Sequence, residues 1–389
     1  MDWADPAFPA SLVDVAEPEL PRGDWGRVEV TMGGICGSDL HLFAHNTGPS
    51  PTLVGVAAIP FLVGHEIAGR VIEAGPDFPL AVGTRVAVDP CLPCAPRAID
   101  PPCENCAKGW TSCCLNLDSQ VFTPGRSLGF TWGLGGGWAE QLVAHSSMVH
   151  TIPDGVPDAA TSLHEPLSIC AHALVRHPPR DGEPVLVVGA GTIGLAALAA
   201  MRGLYPASEL TVLARYRHQA DAARACGADA VVISAEDGSH WDALAERAGA
   251  RLAGFKPDVM LMSGFPYVIE AVGSPGAITD ALRSAAHHGT VLLLGAAGIS
   301  RVDLTPIWYK EVALVGSVDH QTDAGGGPGV AGGAGRHSID RALDILAAGL
   351  LPHDVVVTHT FPLDGLREAV QCALDKQKGA IKVAFRPRS

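Results

Sequence analysis

The chain has 389 residues, too many for one comfortable core, so two or three domains are expected. Hydrophobic residues make up 47% and charged residues 17%, a balance that excludes wholesale disorder. Lys plus Arg number 27 against 41 Asp plus Glu, and the resulting net charge of −14 makes a nucleic-acid backbone or an anionic membrane face a poor partner.

The segment from Met1 to Glu19 is acidic and carries several prolines. It has neither the basic start nor the apolar core of a signal peptide, so a cytoplasmic protein is expected. In such a chain ten cysteines point to metal rather than to a disulfide framework. Up to about residue 160, short apolar runs broken by Gly and Pro, such as Arg27–Met32, Glu66–Ala74 and Arg85–Val88, predict strands of a largely antiparallel region. Residues 90–137 are rich in Cys, Pro and Gly and show little periodicity. From Val185 onward the texture changes. Apolar strands (Val185–Val188, Leu210–Leu213, Ala230–Ile233, Asp258–Met262, Thr290–Leu294) alternate with Ala-rich helices (Leu195–Leu204, Gln219–Cys226, Ala277–Ala286), which is the pattern of a doubly wound parallel sheet. Val185–Leu204 is almost free of charge and about as long as a bilayer span, but its glycines fit a buried strand turning into a helix better. A Gly-rich stretch, Ala324–Gly335, then precedes an amphipathic helix over Ser338–Ala348, and the last forty or so residues return to short strands.

Within the alternating half, Val185-Leu-Val-Val-Gly189-Ala-Gly191-Thr192-Ile193-Gly194 places Gly-x-Gly-x-x-Gly directly after an apolar strand and at the start of a helix. Gly189 permits a tight turn, Gly191 lets the backbone approach a pyrophosphate, and Gly194 allows close helix–strand packing. The free N–H groups of the helix start, at Thr192 and Ile193, then face the phosphates. At the end of the next strand, where a carboxylate would hold the ribose 2′-hydroxyl of NAD, the chain reads Ala214-Arg215-Tyr216-Arg217. Two guanidiniums can bind a 2′-phosphate that a carboxylate would repel, so NADP is favoured. The alternative is that Arg215 and Arg217 solvate a loop or stack on adenine.

Two further motifs lie near the N-terminus: Gly34-Ile-Cys36-Gly-Ser38-Asp39-Leu-His41 and Gly64-His65-Glu66-Ile-Ala-Gly69. A thiolate and an imidazole from separate turns supply two of the three protein ligands that a catalytic zinc requires. Six cysteines crowd into residues 91–114, namely Cys91, Cys94, Cys103, Cys106, Cys113 and Cys114. That density points to a metal.

Taken in order, these motifs resemble the zinc-dependent alcohol dehydrogenases of the medium-chain dehydrogenase/reductase superfamily. The resemblance implies a GroES-like β-barrel catalytic domain plus a Rossmann doubly wound parallel-sheet domain. It places the catalytic domain at 1–170 with a zinc lobe at about 90–115, the coenzyme domain at 171–318, and a C-terminal segment, 319–389, completing the catalytic domain. It implies Cys36 and His65 as catalytic zinc ligands and Asp39 as the carboxylate orienting His65. Ser38 would contact the substrate oxygen and pass on its proton, with His41 further along that relay. The third ligand position falls at Glu165 in His164-Glu165-Pro166, as in the polyol, threonine and glucose dehydrogenase branches, with Cys170 the competitor. Glu66 is expected to act in catalysis, entering the zinc sphere or exchanging with water there. The cysteine cluster resembles the family's structural zinc lobe: Cys103-x2-Cys106-x7-Cys114 fits its last three members, with Gly109 at the expected turn. Cys94 is the expected fourth ligand, and Cys91 or Asp100 remain open for that place. Glu270-Ala-Val272-Gly273 and Leu294-Gly295 resemble the strand ends that hold the nicotinamide, a role alternative to simple packing of strand termini.

The activity so implied is zinc-dependent hydride transfer between a primary or secondary alcohol, or its carbonyl partner, and NADP, in a homodimer or homotetramer without nucleic-acid or membrane partners. Phe43, His45, Trp132 and Trp138 are candidates to line the substrate pocket, against the plainer reading that they are core. Thr305-Pro-Ile-Trp308-Tyr309-Lys310-Glu311 resembles the threonine and sorbitol dehydrogenase branch and pulls toward small polar substrates. Two other classes stand beside this one. A zinc-independent alkene or imine reductase would keep its activity without Cys36 or His65. A non-catalytic NADP-binding redox sensor would bind coenzyme and turn nothing over.

Overall fold

The structure, a computed structural model, describes residues 8–43, 60–117, 119, 121–122, 125–323 and 335–388. His45 and residues 324–334 of the Gly-rich stretch lie outside them. In chain order the first strands are β1 (Trp25–Gly34), β2 (Glu66–Ala74), β3 (Arg85–Val88), β4 (Gln141–His145) and β5 (Val149–Thr151). The alternating half supplies β6 (Val185–Val188), β7 (Leu210–Ala214), β8 (Ala230–Ile233), β9 (Arg251–Phe255), β10 (Asp258–Met262), β11 (Phe265–Glu270), β12 (Ala285–Leu293) and β13 (Ala313–Gly316). After it come a two-residue pair, β14 (Thr322–Asp323) and β15 (Arg336–His337), and finally β16 (Val357–Phe361) and β17 (Lys382–Phe385).

β1 is the spine of a seven-stranded sheet in the order β16-β17-β1-β2-β3-β5, with β4 also paired to β1. Strands from the last forty or so residues therefore share a sheet with the first hundred. The antiparallel register sets Gly34 opposite Glu66 and Gly33 opposite Phe385. Hence the turn leaving β1 and the turn entering β2 emerge side by side. β3 runs antiparallel to β2 with Val88 opposite Ile67, so the chain leaving β3 surfaces at the same end.

The second sheet is parallel throughout, in the order β13-β12-β11-β6-β7-β8. β6 is followed by β7 on one side and flanked by β11 on the other, so the strand order reverses at β6. That switch point is where a crevice opens beyond the carboxyl ends of the strands. One expected strand is corrected here. Asp258–Met262 does form a strand, β10, but in a separate hairpin with β9, and the sheet position belongs to β11. Burial explains the exchange: β10 alternates buried and less buried residues, whereas five of the six residues of β11 are buried, as a strand covered on both faces must be.

Helices Thr192–Leu204, Arg217–Ala225 and Pro275–Ser284 flank the parallel sheet near their expected places. The last starts two residues before its expected position because Ser274 caps it, accepting from Ala277 N–H, with Pro275 at the first helical position. Val185–Leu204 folds as the strand β6 and a helix of Ala and Leu buried all round, packed with helices His164–Arg176 and Ser338–Ala347. Among the described residues no helix is long and apolar enough to cross a membrane.

Candidate active site and zinc lobe

The end of β1 leads through Ile35 and Cys36 into a short helix, Gly37–Phe43. Asp39, fully buried, accepts the Cys36 N–H at 2.9 Å and so fastens the turn. Its other carboxylate oxygen lies 3.3 Å from His65 Nδ1. On the facing turn, Gly64 has φ +95°, and an added Cβ would stand 2.3 Å from the Trp138 ring. Only glycine lets the backbone turn there and present His65. With Nδ1 facing the Asp39 carboxylate, the ring turns Nε2 toward Ser38 Oγ, 3.4 Å away. Burial opposes a charge on His65, but the Asp39 carboxylate and the Cys36 sulfur beside the ring lift its pKa well above the ordinary imidazole value. Cys36, Ser38, Asp39 and His65 are thus brought together. His41 sits at the far end of the short helix, half-buried.

Glu66 is buried at the start of β2. Its Oε2 is ion-paired with Lys382 Nζ, and that ammonium also donates to the Ile35 carbonyl at 3.1 Å. Burial and the neighbouring Glu165 carboxylate raise the Glu66 pKa, against the pull of Lys382. The side chain is engaged in a clasp between β2 and β17, with His65 and Glu165 close enough to act on its charge. Lys382 went unread in the sequence; a lysine alternating with apolar residues in Ile381-Lys382-Val383 was the available signal.

Glu165 lies at the start of helix His164–Arg176 and is buried. Among the described residues its Oε2 has no hydrogen-bond partner, while Oε1 stands 3.9 Å from His320 Nδ1. The competitor Cys170 is also buried on this helix, but its thiol points to the Ile193 carbonyl at 3.5 Å, and burial drives its pKa far up. Thiolate, imidazole and a buried carboxylate with an unpartnered oxygen are a donor set that suits zinc by type. Cys36, His65 and Glu165 are not, however, among the described groups whose donor atoms all lie within 4.8 Å of one another.

The cysteine lobe is such a group. Cys94, Cys103, Cys106 and Cys114 converge, with sulfurs 3.7 Å apart for Cys94–Cys114 and 3.9 Å for Cys103–Cys114. Backbone N–H groups point at the sulfurs: Leu115 and Cys106 at Cys103, and Asn116 at Cys114. Burial pushes the Cys103 thiol up, yet those N–H groups hold it down at about 6. This is the environment of a thiolate that binds a metal. Of the alternatives for the fourth place, Cys91 belongs to a different cluster, with Asp89 and His320, and Asp100 joins neither. Cys113 is exposed.

At the switch point of the parallel sheet, Gly189 has φ +100° and an added Cβ would meet Val272 Cγ2 at 2.4 Å, while one on Gly194 would lie 2.0 Å from the Gly189 carbonyl oxygen. A Cβ on Gly191 would meet nothing within 4 Å, so the turn is open on the side a pyrophosphate would approach. Glu270, buried at the end of β11, accepts the N–H groups of Val272 and Gly273 at 2.9 Å each, and Gly295 N–H donates to its carbonyl at 3.1 Å. Val272 and Gly295 therefore edge the same crevice as the fingerprint. Arg215 and Arg217 are exposed beyond β7, the first with its guanidinium 5.6 Å from the Tyr216 ring centre. Of the aromatic pocket candidates, Phe43 and Trp138 stack at 6.1 Å in a cluster with Phe8 and Phe385, and Trp138 donates to the Gly34 carbonyl at 3.0 Å. For these two the core reading holds. Trp132 is exposed.

Two family models match this chain: the alcohol dehydrogenase GroES-like domain over residues 23–154 and the zinc-binding dehydrogenase domain over residues 192–322. The chain belongs to the zinc-dependent alcohol dehydrogenases of the medium-chain superfamily. The first model covers β1 to β5 and the second the fingerprint helix through β14. Among relatives of this dehydrogenase, the starvation-sensing protein RspB of Escherichia coli K12 is 28% identical over 95% of this chain and 94% of its own. The L-threonine 3-dehydrogenase of Legionella pneumophila strain Corby is 26% identical over 95% of each chain. Of solved structures, a zinc-binding dehydrogenase from Sinorhizobium meliloti 1021 bound to NADP is 26% identical with a TM-score of 0.72, covering 95% of this chain and 94% of that one. The rspB alcohol dehydrogenase of E. coli CFT073, solved with NADH, is 25% identical with a TM-score of 0.73 and the same coverage.

Proposed function

We propose that this dehydrogenase transfers hydride reversibly between a primary or secondary alcohol and NADP, with Cys36, His65 and Glu165 holding a catalytic zinc and Cys94, Cys103, Cys106 and Cys114 a structural one. The observation that carries the reading is His65 itself: one ring nitrogen is tied to the buried Asp39, and the other faces Ser38 beside the Cys36 sulfur. When bound, zinc supplies the Lewis acidity that lowers the alcohol pKa, and the nicotinamide supplies the carbon that takes the hydride.

The chain's own residues do the rest. The Ser38 hydroxyl receives the alcohol proton, and His41, three residues on along the same short helix, carries it outward. Asp39 keeps His65 in the tautomer that offers Nε2. Gly189, Gly191 and the N–H groups of Thr192 and Ile193 seat the pyrophosphate, with Val272 and Gly295 at the nicotinamide end. Arg215 and Arg217 bind the 2′-phosphate by charge-assisted hydrogen bonds, which favours NADP over NAD. The chain divides at about residues 170 and 318 into catalytic domain, coenzyme domain and completing segment. It works in the cytoplasm as a homo-oligomer; the exposed edge strand β13, with Leu314, and the nearby Trp308 and Tyr309 support self-association. Among substrates, small diols and hydroxy acids are favoured, in keeping with relatives named threonine and sorbitol dehydrogenases.

The test is a panel of alcohols, diols and their carbonyl partners, assayed with both coenzymes on wild-type enzyme and on Cys36→Ser. NADP-dependent turnover abolished by Cys36→Ser is expected. Turnover that survives the substitution would favour a zinc-independent reductase, and coenzyme binding with no turnover on any member would favour a sensor.

A further inference from the structure

We propose that Asp89, Cys91 and His320 form a further zinc site, separate from the cysteine lobe and from the Cys36–His65 pair. Asp89 and Cys91 flank Pro90 where the chain leaves β3, and Cys91 is held by an isolated bridge to Ser127. His320 comes from a part of the chain 231 residues away from Asp89. It is fixed by its neighbour Gln321, whose side chain accepts from Ser112 Oγ at 2.9 Å and whose backbone exchanges hydrogen bonds with Ser338. Asp89 Oδ1, Cys91 Sγ and His320 Nε2 all lie within 4.8 Å of one another, on side chains that are all buried.

One carboxylate, one thiolate and one imidazole match zinc, which takes all three at about 2.0–2.3 Å. Tetrahedral bonds of that length set donor atoms about 3.3–3.6 Å apart. The Cys91 Sγ to His320 Nε2 distance is 3.8 Å and the Asp89 Oδ1 to His320 Nε2 distance is 2.8 Å, so these two separations bracket the required spacing. The surroundings are arranged as a metal site's are. His320 Nδ1 is buried and, among the described residues, lacks a hydrogen-bond partner, and it faces Glu165 Oε1 at 3.9 Å. With Nε2 on a metal, the ring proton sits on Nδ1 and points to that carboxylate, the arrangement that orients a ligating histidine. The second oxygen of Asp89 faces His337 Nε2 at 3.3 Å. Asp319 lies 3.5 Å from the Cys91 sulfur, and its ion pair with Arg126 offsets its charge beside a thiolate. The three ligands carry two negative charges against the two positive charges of zinc, so the ion and its ligands are together neutral when the site is filled.

The inference stands whether or not Cys36 and His65 hold a catalytic metal. Its test is zinc per chain, by elemental analysis of the full-length enzyme after gel filtration through a weak chelator. Cys91→Ser is expected to lose one equivalent relative to wild type and Cys36→Ser another, the double variant losing two. An unchanged count in Cys91→Ser overturns the proposal, as does a double variant that loses only one equivalent when each single variant also loses one, because the two cysteines would then share a single ion. If Cys36→Ser alone leaves the count unchanged, the catalytic-zinc reading fails and this one stands. Should Cys91→Ser fail to fold, His320→Gln, which leaves every cysteine in place, must lose the same equivalent, and its failure to do so likewise overturns the site.

Discussion

A methyl group added at either of two glycines in the fingerprint separates coenzyme binding from packing. At Gly194 the added Cβ would sit 2.0 Å from the Gly189 carbonyl oxygen and 2.8 Å from its carbon. Ordinary contact begins near 3.4 Å, so the turn and the helix must part by about 1.4 Å, and neither neighbour is a side chain that can swing aside. Overpacking of that kind costs about 1–3 kcal/mol. At about 2–4 °C per kcal/mol for a domain of this size, Gly194→Ala should melt several degrees lower, and the displaced turn should weaken coenzyme binding as well. At Gly191 the backbone has φ −81°, which alanine adopts freely, and the added Cβ meets nothing within 4 Å. Gly191→Ala should therefore melt with the wild type yet bind NADPH about tenfold more weakly or worse, an effect of about 1.4 kcal/mol. Thermal melts together with NADPH fluorescence titrations on the three proteins decide the matter. If Gly191→Ala binds within twofold of wild type, the open side of this turn is not where the pyrophosphate lies, and the assignment of the crevice is wrong.

Lys382→Met leaves the buried Glu66 carboxylate without its cation and should destabilise by about 3–5 kcal/mol, whereas Lys382→Met combined with Glu66→Gln should recover most of that in urea unfolding; equal losses in the two would refute the clasp. Arg215→Ala should weaken NADPH binding by roughly 1.5–3 kcal/mol, about tenfold or more, and leave NADH nearly untouched, which isothermal titration with each coenzyme reads directly. Asp280 is held up at about 6 by burial, against the pull of Arg283. A carboxyl with a raised folded-state pKa binds its proton more tightly when folded, so it costs stability as pH rises from about 4 to about 6 and no more above that. Discounted for its partial exposure, Asp280→Asn should gain about 1–2 kcal/mol over wild type at pH 7.5, with a smaller gain at pH 5. A gain independent of pH would show that the ionised form is not what the fold resists.

What could be read from the chain alone was what is local. Val185 to Gly194 carries strand, turn and helix within ten residues, and the spacing of Cys103, Cys106 and Cys114 is fixed by one short helix and one turn. β10 was assigned to the wrong sheet because apolar alternation reports a strand without naming its partner. Only the continuous burial of β11, a property of layers on both faces, decides between them. The engagement of Glu66 by Lys382 and of Asp89 by His320 spans 316 and 231 residues, and nothing in the neighbourhood of either residue encodes it. Such pairs arise only when distant segments are folded together, through sheet order for Glu66 and Lys382 and through loop packing for Asp89 and His320. Phe43 is a similar case: it neighbours the catalytic motif in sequence, but its ring packs with those of Phe8 and Trp138.

β17 lies between β16 and β1, and of the described strands it is the latest in chain order. Until β17 has been synthesised, the sheet that carries Cys36 and His65 lacks its strand beside the end of β1, while the parallel sheet between residues 185 and 316 is already complete in sequence. Synthesis order therefore delivers the coenzyme half first and leaves the chemical half to be zipped shut by a four-residue strand, with the Lys382–Glu66 clasp as its catch. A chain ending at residue 381 would keep every proposed zinc ligand and coenzyme contact, and would lose both the strand that closes on them and its lysine.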